Sequence, residues 1–228
     1  MKKPVSKMAL RLVVFALASL FAGSAFAAPK VSTKYKSYSV PGKSAQQLFQ
    51  HMSRYGPHAN GSPALATTAA NFTHSAKLNR KGKCRLQNYE VNMAFVITLP
   101  KARNRRSMSK SLRKRWDQFA THAKWHELQH RKIWVQCARR IEAKVRKMGG
   151  QKSCERAWAR ARQIANVQLK SCDAKHARFD DRESTRAAKL PLIAQALRPQ
   201  RQRKSSKVAN RQVVHKSTTK RKMGKMYD

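Results

Sequence analysis

The sequence predicts an α+β fold, with a small antiparallel sheet packed against helices. Three observations support this. Apolar and polar residues alternate in residues 84–100, which is typical of a strand with one buried face, here Val91, Met93, Phe95, Ile97 and Leu99. Residues 112–148 instead carry an apolar residue, or a histidine, every three or four positions, which predicts a long helix. Residues 157–172 repeat this spacing and predict a second helix after it.

Residues 1–27 have the features of a signal peptide. Four basic residues precede an apolar run, Leu12 to Ala22, that is too short to span a bilayer. Ala25-Phe26-Ala27 then provides the small residues that signal peptidase needs, so we expect cleavage before Ala28. No later stretch approaches the length of a membrane span. The sequence therefore predicts an exported protein, periplasmic or secreted, without a transmembrane segment after cleavage.

Residues 28–198 form the predicted domain. Its first helix contains Ala45 and Met52 and stops at Gly56-Pro57. Residues 57–63, with two prolines and a glycine, are expected to form a loop. An extended segment around Ala64 to Leu78 should then pair with the strand of residues 84–100.

The two long helices have clear start and stop signals. Ser107 or Ser109 can cap the first, and Gly149-Gly150 is expected to end it. Ser153 can cap the second, which is predicted to reach Cys172. Residues 199–228 have few apolar side chains and ten Lys and Arg, which predicts a basic, disordered tail.

Four cysteines, with no C-x-x-C pair, predict two disulfides in an exported chain rather than a cysteine metal cluster. One pairing is excluded if Cys154 and Cys172 share a straight helix, because they would lie about 27 Å apart. The other pairings among Cys84, Cys137, Cys154 and Cys172 stay open.

The candidate chemistry lies in residues 126–130, His-Glu-Leu-Gln-His. On a helix, His126 and His130 share a face and can reach one tetrahedral metal ion, for which zinc is the expected choice. In that arrangement zinc lowers the pKa of a bound water molecule, and Glu127 takes its proton as general base. The resulting hydroxide attacks a carbonyl group that the same ion polarises. The expected reaction is peptide or amide hydrolysis. The alternative is a pair of core histidines that bind no metal.

The third ligand is sought among the acids, because the chain has only 10 Asp and Glu against 51 Lys and Arg. Four of the ten lie within residues 173–183. On a helix, His176, Asp180 and Glu183 would share a face. Alternatively, these acids pair with neighbouring arginines on a solvated face, namely Arg178, Arg182 and Arg186.

An ordered set of segments resembles the predicted secreted zinc-dependent proteases, a bacterial group of exported proteins. The resemblance runs from about Tyr35 to Glu183 and implies a zinc metalloprotease. The segments that carry it are Tyr38 to Ser44, Gly56-Pro57 with Gly61, Ala66-Thr67-Thr68 to Phe72, Cys84, Ile97 to Pro100, Trp116-Asp117 with Phe119, His126 to His130, and Cys154.

One later motif of that family is incomplete in this chain. It consists of an aromatic-Asp pair, then Thr and His-Gly, and Phe179-Asp180 matches its start. Residues 183–187 read Glu-Ser-Thr-Arg-Ala, so the His-Gly half is missing. If that histidine is the family's third ligand, this chain must use Asp180, Glu183 or His176. Asp180 is the first choice because it occupies a matching position of the motif.

The net charge of +41 supports a second hypothesis, an envelope protein without catalysis that binds zinc and anionic surfaces. The tail has clustered basic residues and no nucleic-acid-binding motif, so it resembles an electrostatic tether rather than a sequence reader. A solvated tail without a partner is the alternative.

Among smaller candidates, His122 could stabilise an oxyanion, although a structural role fits it better, and Asp117 is expected to support helix polarity.

Overall fold

The computed structural model describes residues 30–59 and 61–198, so the predicted signal peptide and basic tail lie outside the described residues. No helix within these ranges is long and apolar enough to cross a membrane. In chain order the elements are β1 (Val31–Val40), α1 (Ala45–Tyr55), β2 (His58–Ala59), β3 (Ser62–Pro63), β4 (Thr67–Asn79), β5 (Arg85–Ala102), α2 (Lys110–Arg146), α3 (Cys154–Ala188) and α4 (Pro191–Ala196). The predicted α+β class is confirmed.

The main sheet has three strands in the order β1-β5-β4. β4 runs antiparallel to β5, as expected, with Thr68 opposite Ile97. β1 instead runs parallel to β5, with Val31 opposite Met93, so the sheet is mixed rather than antiparallel. The reason lies in the connection: α1 and β4 separate β1 from β5 and let β5 return in the direction of β1. β2 and β3 form a short hairpin within the predicted loop.

One face of β5 forms the centre of the core. The alternating residues of the predicted buried face are buried as expected at Val91, Met93, Phe95 and Ile97. Leu99 is only partly buried, and the neighbouring Pro100 is buried instead. α2 packs across this face, where Ile141 and Val145 join Val91 and Phe95 in one apolar cluster.

Both long helices begin at serines that were predicted as helix caps. Ser109 accepts a hydrogen bond from the Leu112 N–H, and Ser153 accepts one from the Arg156 N–H. α2 ends at Arg146, shortly before Gly149-Gly150. Gly150 lies against the start of the sheet, where a Cβ would meet the Lys83 side chain at 2.8 Å. α3 continues past Cys172 to Ala188, so residues 173–183 are helical.

The structure contains two disulfides, as the sequence predicted, and it gives the pairing that the sequence left open. Cys84, just before β5, bonds to Cys154 at the start of α3. Cys137 of α2 bonds to Cys172 of α3. The second bond fixes the two long helices to each other close to the residues of the candidate site. α4, which the sequence did not predict, buries Leu192 and Ile193 in the apolar cluster that contains residues of α1 and α2.

Candidate metal centre

The middle of α2 and the C-terminal half of α3 bring three potential metal ligands together. His126 and His130 lie one turn apart on α2, and their Nε2 atoms are 3.0 Å from each other. Asp180 of α3 places its Oδ1 3.2 Å from His126 Nε2 and 3.0 Å from His130 Nε2. These ligand atoms therefore form a nearly equilateral triangle.

The triangle has the donors and the size that suit a zinc ion. Imidazole nitrogens and a carboxylate oxygen are common zinc ligands, with bonds of about 2.0–2.2 Å, which put tetrahedral ligand atoms about 3.3 Å apart. The observed separations are within a few tenths of an ångström of that spacing. All three atoms are acceptors when the histidines carry no proton on Nε2, so they require a cation or shared protons between them. Asp180 is 51% exposed, which leaves one side of the triangle open to solvent.

The surroundings favour the neutral histidines that metal binding requires. Burial lowers the pKa of His126, and the neighbouring His130 lowers it further. Burial also lowers the pKa of His130, while the carboxylate of Asp180 acts in the opposite direction. Phe179 contributes to this burial, because its ring centroid lies 4.8 Å from that of His126 and 5.1 Å from that of His130.

Glu127 lies beside the two histidines and is directed to the sheet. It is only 4% exposed, and Thr68 of β4 donates its hydroxyl proton to Glu127 Oε2 at 2.8 Å. The same hydroxyl is 3.0 Å from the main-chain oxygen of Glu127. Burial raises the pKa of Glu127 to about 7, although the hydrogen bond from Thr68 opposes this shift. This carboxylate can thus take up and release a proton near neutral pH.

The other two candidates for the third ligand occupy different places. His176 contacts the far side of His130, with 2.8 Å between the two Nδ1 atoms. Glu183 is buried and its Oε2 lies 3.4 Å from His122 Nε2, while its Oε1 accepts from Arg186 at 2.9 Å. Glu183 therefore has an arginine partner, as the alternative expected, but it is buried rather than on a solvated face. Of the three, Asp180 is the one that faces both His126 and His130.

Two contacts of the site were not assigned from the sequence. Thr68 and Phe179 both stand in segments that resemble the protease group, but nothing in their spacing indicates a contact with residues 126–130. Asp117 lies apart from the triangle in a two-bond pair with Arg105, at 2.6 and 2.7 Å, which agrees with a structural role. His122 Nε2 lies 3.4 Å from Glu183 Oε2, and its ring packs against Trp125.

Comparison with known proteins gives one family. The profile of a family described as "Bacterial protein of unknown function (DUF922)" matches residues 35–187, a range that contains every residue of the site. No curated protein and no solved structure matches the chain.

Proposed function

The chain belongs to the bacterial DUF922 family, and from its candidate metal centre we propose that it is an exported zinc-dependent metallopeptidase. The observation that carries the proposal is the triangle of His126, His130 and Asp180, with the buried Glu127 next to it in the chain. Two imidazoles and one carboxylate leave an open coordination position, which is the arrangement of catalytic rather than structural zinc sites.

The side chains divide the work of hydrolysis. His126 and His130 would hold zinc through Nε2, and Asp180 through Oδ1. When bound, zinc supplies Lewis-acid chemistry: it polarises a carbonyl group and makes a water molecule acidic enough to lose its proton near neutral pH. Thr68 holds Glu127 Oε2, which leaves Oε1 to accept that proton and to pass it to the leaving amine.

The unpaired edge of β4 supports a peptide as the substrate. β4 lies at one side of the three-stranded sheet, and no described strand pairs with its second edge. The hydrogen bond between Thr68 and Glu127 places the start of this strand beside the candidate base. An extended peptide can add to such an edge through main-chain hydrogen bonds, which would carry its carbonyl groups past the site.

Export is part of the proposal. Two disulfides are typical of proteins in oxidising compartments, and they agree with a periplasmic or secreted protein. The predicted signal peptide, residues 1–27, would direct the chain there.

The decisive test compares the zinc-loaded mature protein with its Glu127→Gln form on a diverse peptide mixture, with cleavage detected by mass spectrometry. The glutamine keeps the size of the side chain and its bond from Thr68 but cannot accept a proton. We expect cleavage by the wild type only. Equal cleavage by both forms, or zinc binding without cleavage, would contradict the peptidase proposal.

A second candidate function is binding to anionic surfaces without catalysis. A cleft of about 300 Å³ between α2 and α3 is lined by four basic residues and no acid, namely Lys132, Lys175, Arg178 and Arg182. Together with the predicted basic tail, this surface would attract an anionic envelope. Binding to anionic vesicles before and after truncation at Pro199 tests the tail. Unchanged binding would exclude the tail as a tether.

A further inference from the structure

His176 is partly buried behind His130 and is directed at Nδ1, the nitrogen of His130 that the metal triangle does not use. The two Nδ1 atoms are 2.8 Å apart, which is a hydrogen-bond distance. The ring centroids are 5.0 Å apart and the ring planes differ by 28°, so the two Nδ1 atoms face each other edge to edge. A role of His176 in metal binding rests on the proposed metal site, because His176 contacts only Nδ1 of His130 and would act on the metal through His130 Nε2.

The hydrogen bond between the two histidines determines where the proton of His130 lies. A neutral imidazole carries one proton, on Nδ1 or on Nε2. His130 Nε2 faces His126 Nε2 and Asp180 Oδ1 at 3.0 Å each, and it can hold a metal ion only if it carries no proton. The proton of a metal-binding His130 must therefore lie on Nδ1, where its acceptor is His176 Nδ1.

We propose that His176 is a positioning residue, which accepts the Nδ1 proton of His130 and thereby keeps the lone pair of His130 Nε2 directed at the metal. Metal-bound histidines usually donate this proton to a carboxylate, a main-chain carbonyl or water. Here the acceptor is a second imidazole. A neutral imidazole accepts the proton without adding a negative charge to a site that already contains Asp180 and Glu127.

The packing of His176 agrees with this single task. Trp134 lies against it, with 4.3 Å between ring centroids, and Phe72 of β4 packs in turn on Trp134. The other ring nitrogen of His176, Nε2, is buried and has no hydrogen-bond partner among the described residues. The contact with His130 is thus the only hydrogen bond of this imidazole within the described part of the chain. In the metal-loaded protein, His176 carries its own proton on Nε2.

Two substitutions of His176 distinguish its role as a hydrogen-bond acceptor from its contribution to packing. His176→Asn places a carbonyl oxygen near the position of Nδ1 and keeps an acceptor, whereas His176→Phe keeps a planar ring and removes it. His51→Phe is the matched control, because His51 of α1 also has a buried ring nitrogen without a partner among the described residues and lies outside the site. For each protein we would measure the Kd for zinc alone by competition with a chelator, and the thermal midpoint of unfolding.

We expect His176→Phe to weaken zinc binding by about 10- to 100-fold, as is typical when the partner of a ligand is lost. His176→Asn should stay within a few-fold of the wild type, and His51→Phe should bind like the wild type. In the ¹⁵N NMR spectrum of the zinc-loaded wild type, His130 should carry its proton on Nδ1 and His176 on Nε2.

Three results would overturn the proposal: wild-type zinc affinity in His176→Phe, equal losses in the Phe and Asn variants, or a zinc-loaded His130 without a proton on Nδ1. Absence of zinc binding in the wild type would overturn it together with the metal site. Zinc binding without peptide cleavage would contradict the peptidase function alone and leave the role of His176 standing.

Discussion

Asp180 Oδ1 lies 3.0 Å from His130 Nε2, although the two residues belong to different helices. The Cys137–Cys172 bond fixes α2 to α3 about two turns away from each of them. The triangle therefore depends on how the two helices are held together, and not only on the His-Glu-x-x-His segment of α2.

Replacing Asp180 tests the third ligand. Asp180→Asn should lower zinc affinity by at least tenfold, because a charged donor is lost, and should leave the unfolding temperature nearly unchanged, because the side chain is half exposed. Zinc competition with a chelator measures the first effect and thermal unfolding the second. Asp181→Asn, an exposed neighbour on α3, is the control. Equal affinities for zinc in the two variants would exclude Asp180 as a ligand.

Removing the two disulfides separately tests the link between the helix pair and the site. Ala replacements of Cys137 and Cys172 should weaken zinc binding more than Ala replacements of Cys84 and Cys154. Loss of the Cys84–Cys154 bond should instead lower the free energy of unfolding more, because this bond closes a loop of 70 residues, against 35 for Cys137–Cys172. Zinc titration and denaturant unfolding of both double variants give the comparison. If zinc affinity simply follows stability, the Cys137–Cys172 bond has no special role at the site.

Thr68 should matter for both the fold and the reaction. Thr68→Val removes the side-chain hydroxyl that donates to the buried carboxylate of Glu127 and should cost about 1–3 kcal/mol of unfolding free energy. Activity should fall more than zinc affinity, because Thr68 touches the base and none of the three ligands. Thr67→Val, at the neighbouring position whose side chain points to the other face of β4, is the control. A variant with normal activity would show that Glu127 needs no support from β4.

Glu142 links stability to pH. It is buried at the far end of α2, where it accepts a hydrogen bond from the Val91 N–H at 2.8 Å, and burial raises its pKa. A carboxyl whose pKa is higher in the folded protein than in the unfolded chain favours folding least when ionised. Its destabilising contribution is thus absent below about pH 4, the unfolded value, and grows as pH rises through the folded value.

Glu142→Gln should therefore be more stable than the wild type near neutral pH and equal to it near pH 4, since the amide oxygen can still accept from Val91. Unfolding temperatures measured across this range test the difference. Asp173→Asn, which changes an exposed acid of α3, should give no such trend. A Gln variant that loses stability relative to the wild type as pH rises would mean that ionised Glu142 stabilises the fold.

Local signals in the sequence predict the elements well. Ser109 and Ser153 mark both helix starts because a cap is a contact within one turn, and the alternation around Val91 and Phe95 predicts the buried face of β5. The parallel pairing of β1 and the Cys84–Cys154 bond were not predictable, because they join segments far apart in the chain. The same holds for the site: the helical spacing predicts His126 next to His130, whereas the contacts of Thr68 and His176 depend on tertiary packing.

The most direct test of the central claim is the zinc content of the mature protein after metal removal, reloading and desalting, measured by elemental mass spectrometry. We expect one zinc per chain for the wild type and for His51→Ala, and a large loss of zinc in the His126→Ala and His130→Ala variants. A wild-type protein that retains no stoichiometric zinc, or variants that retain as much as the wild type, would contradict the metal site.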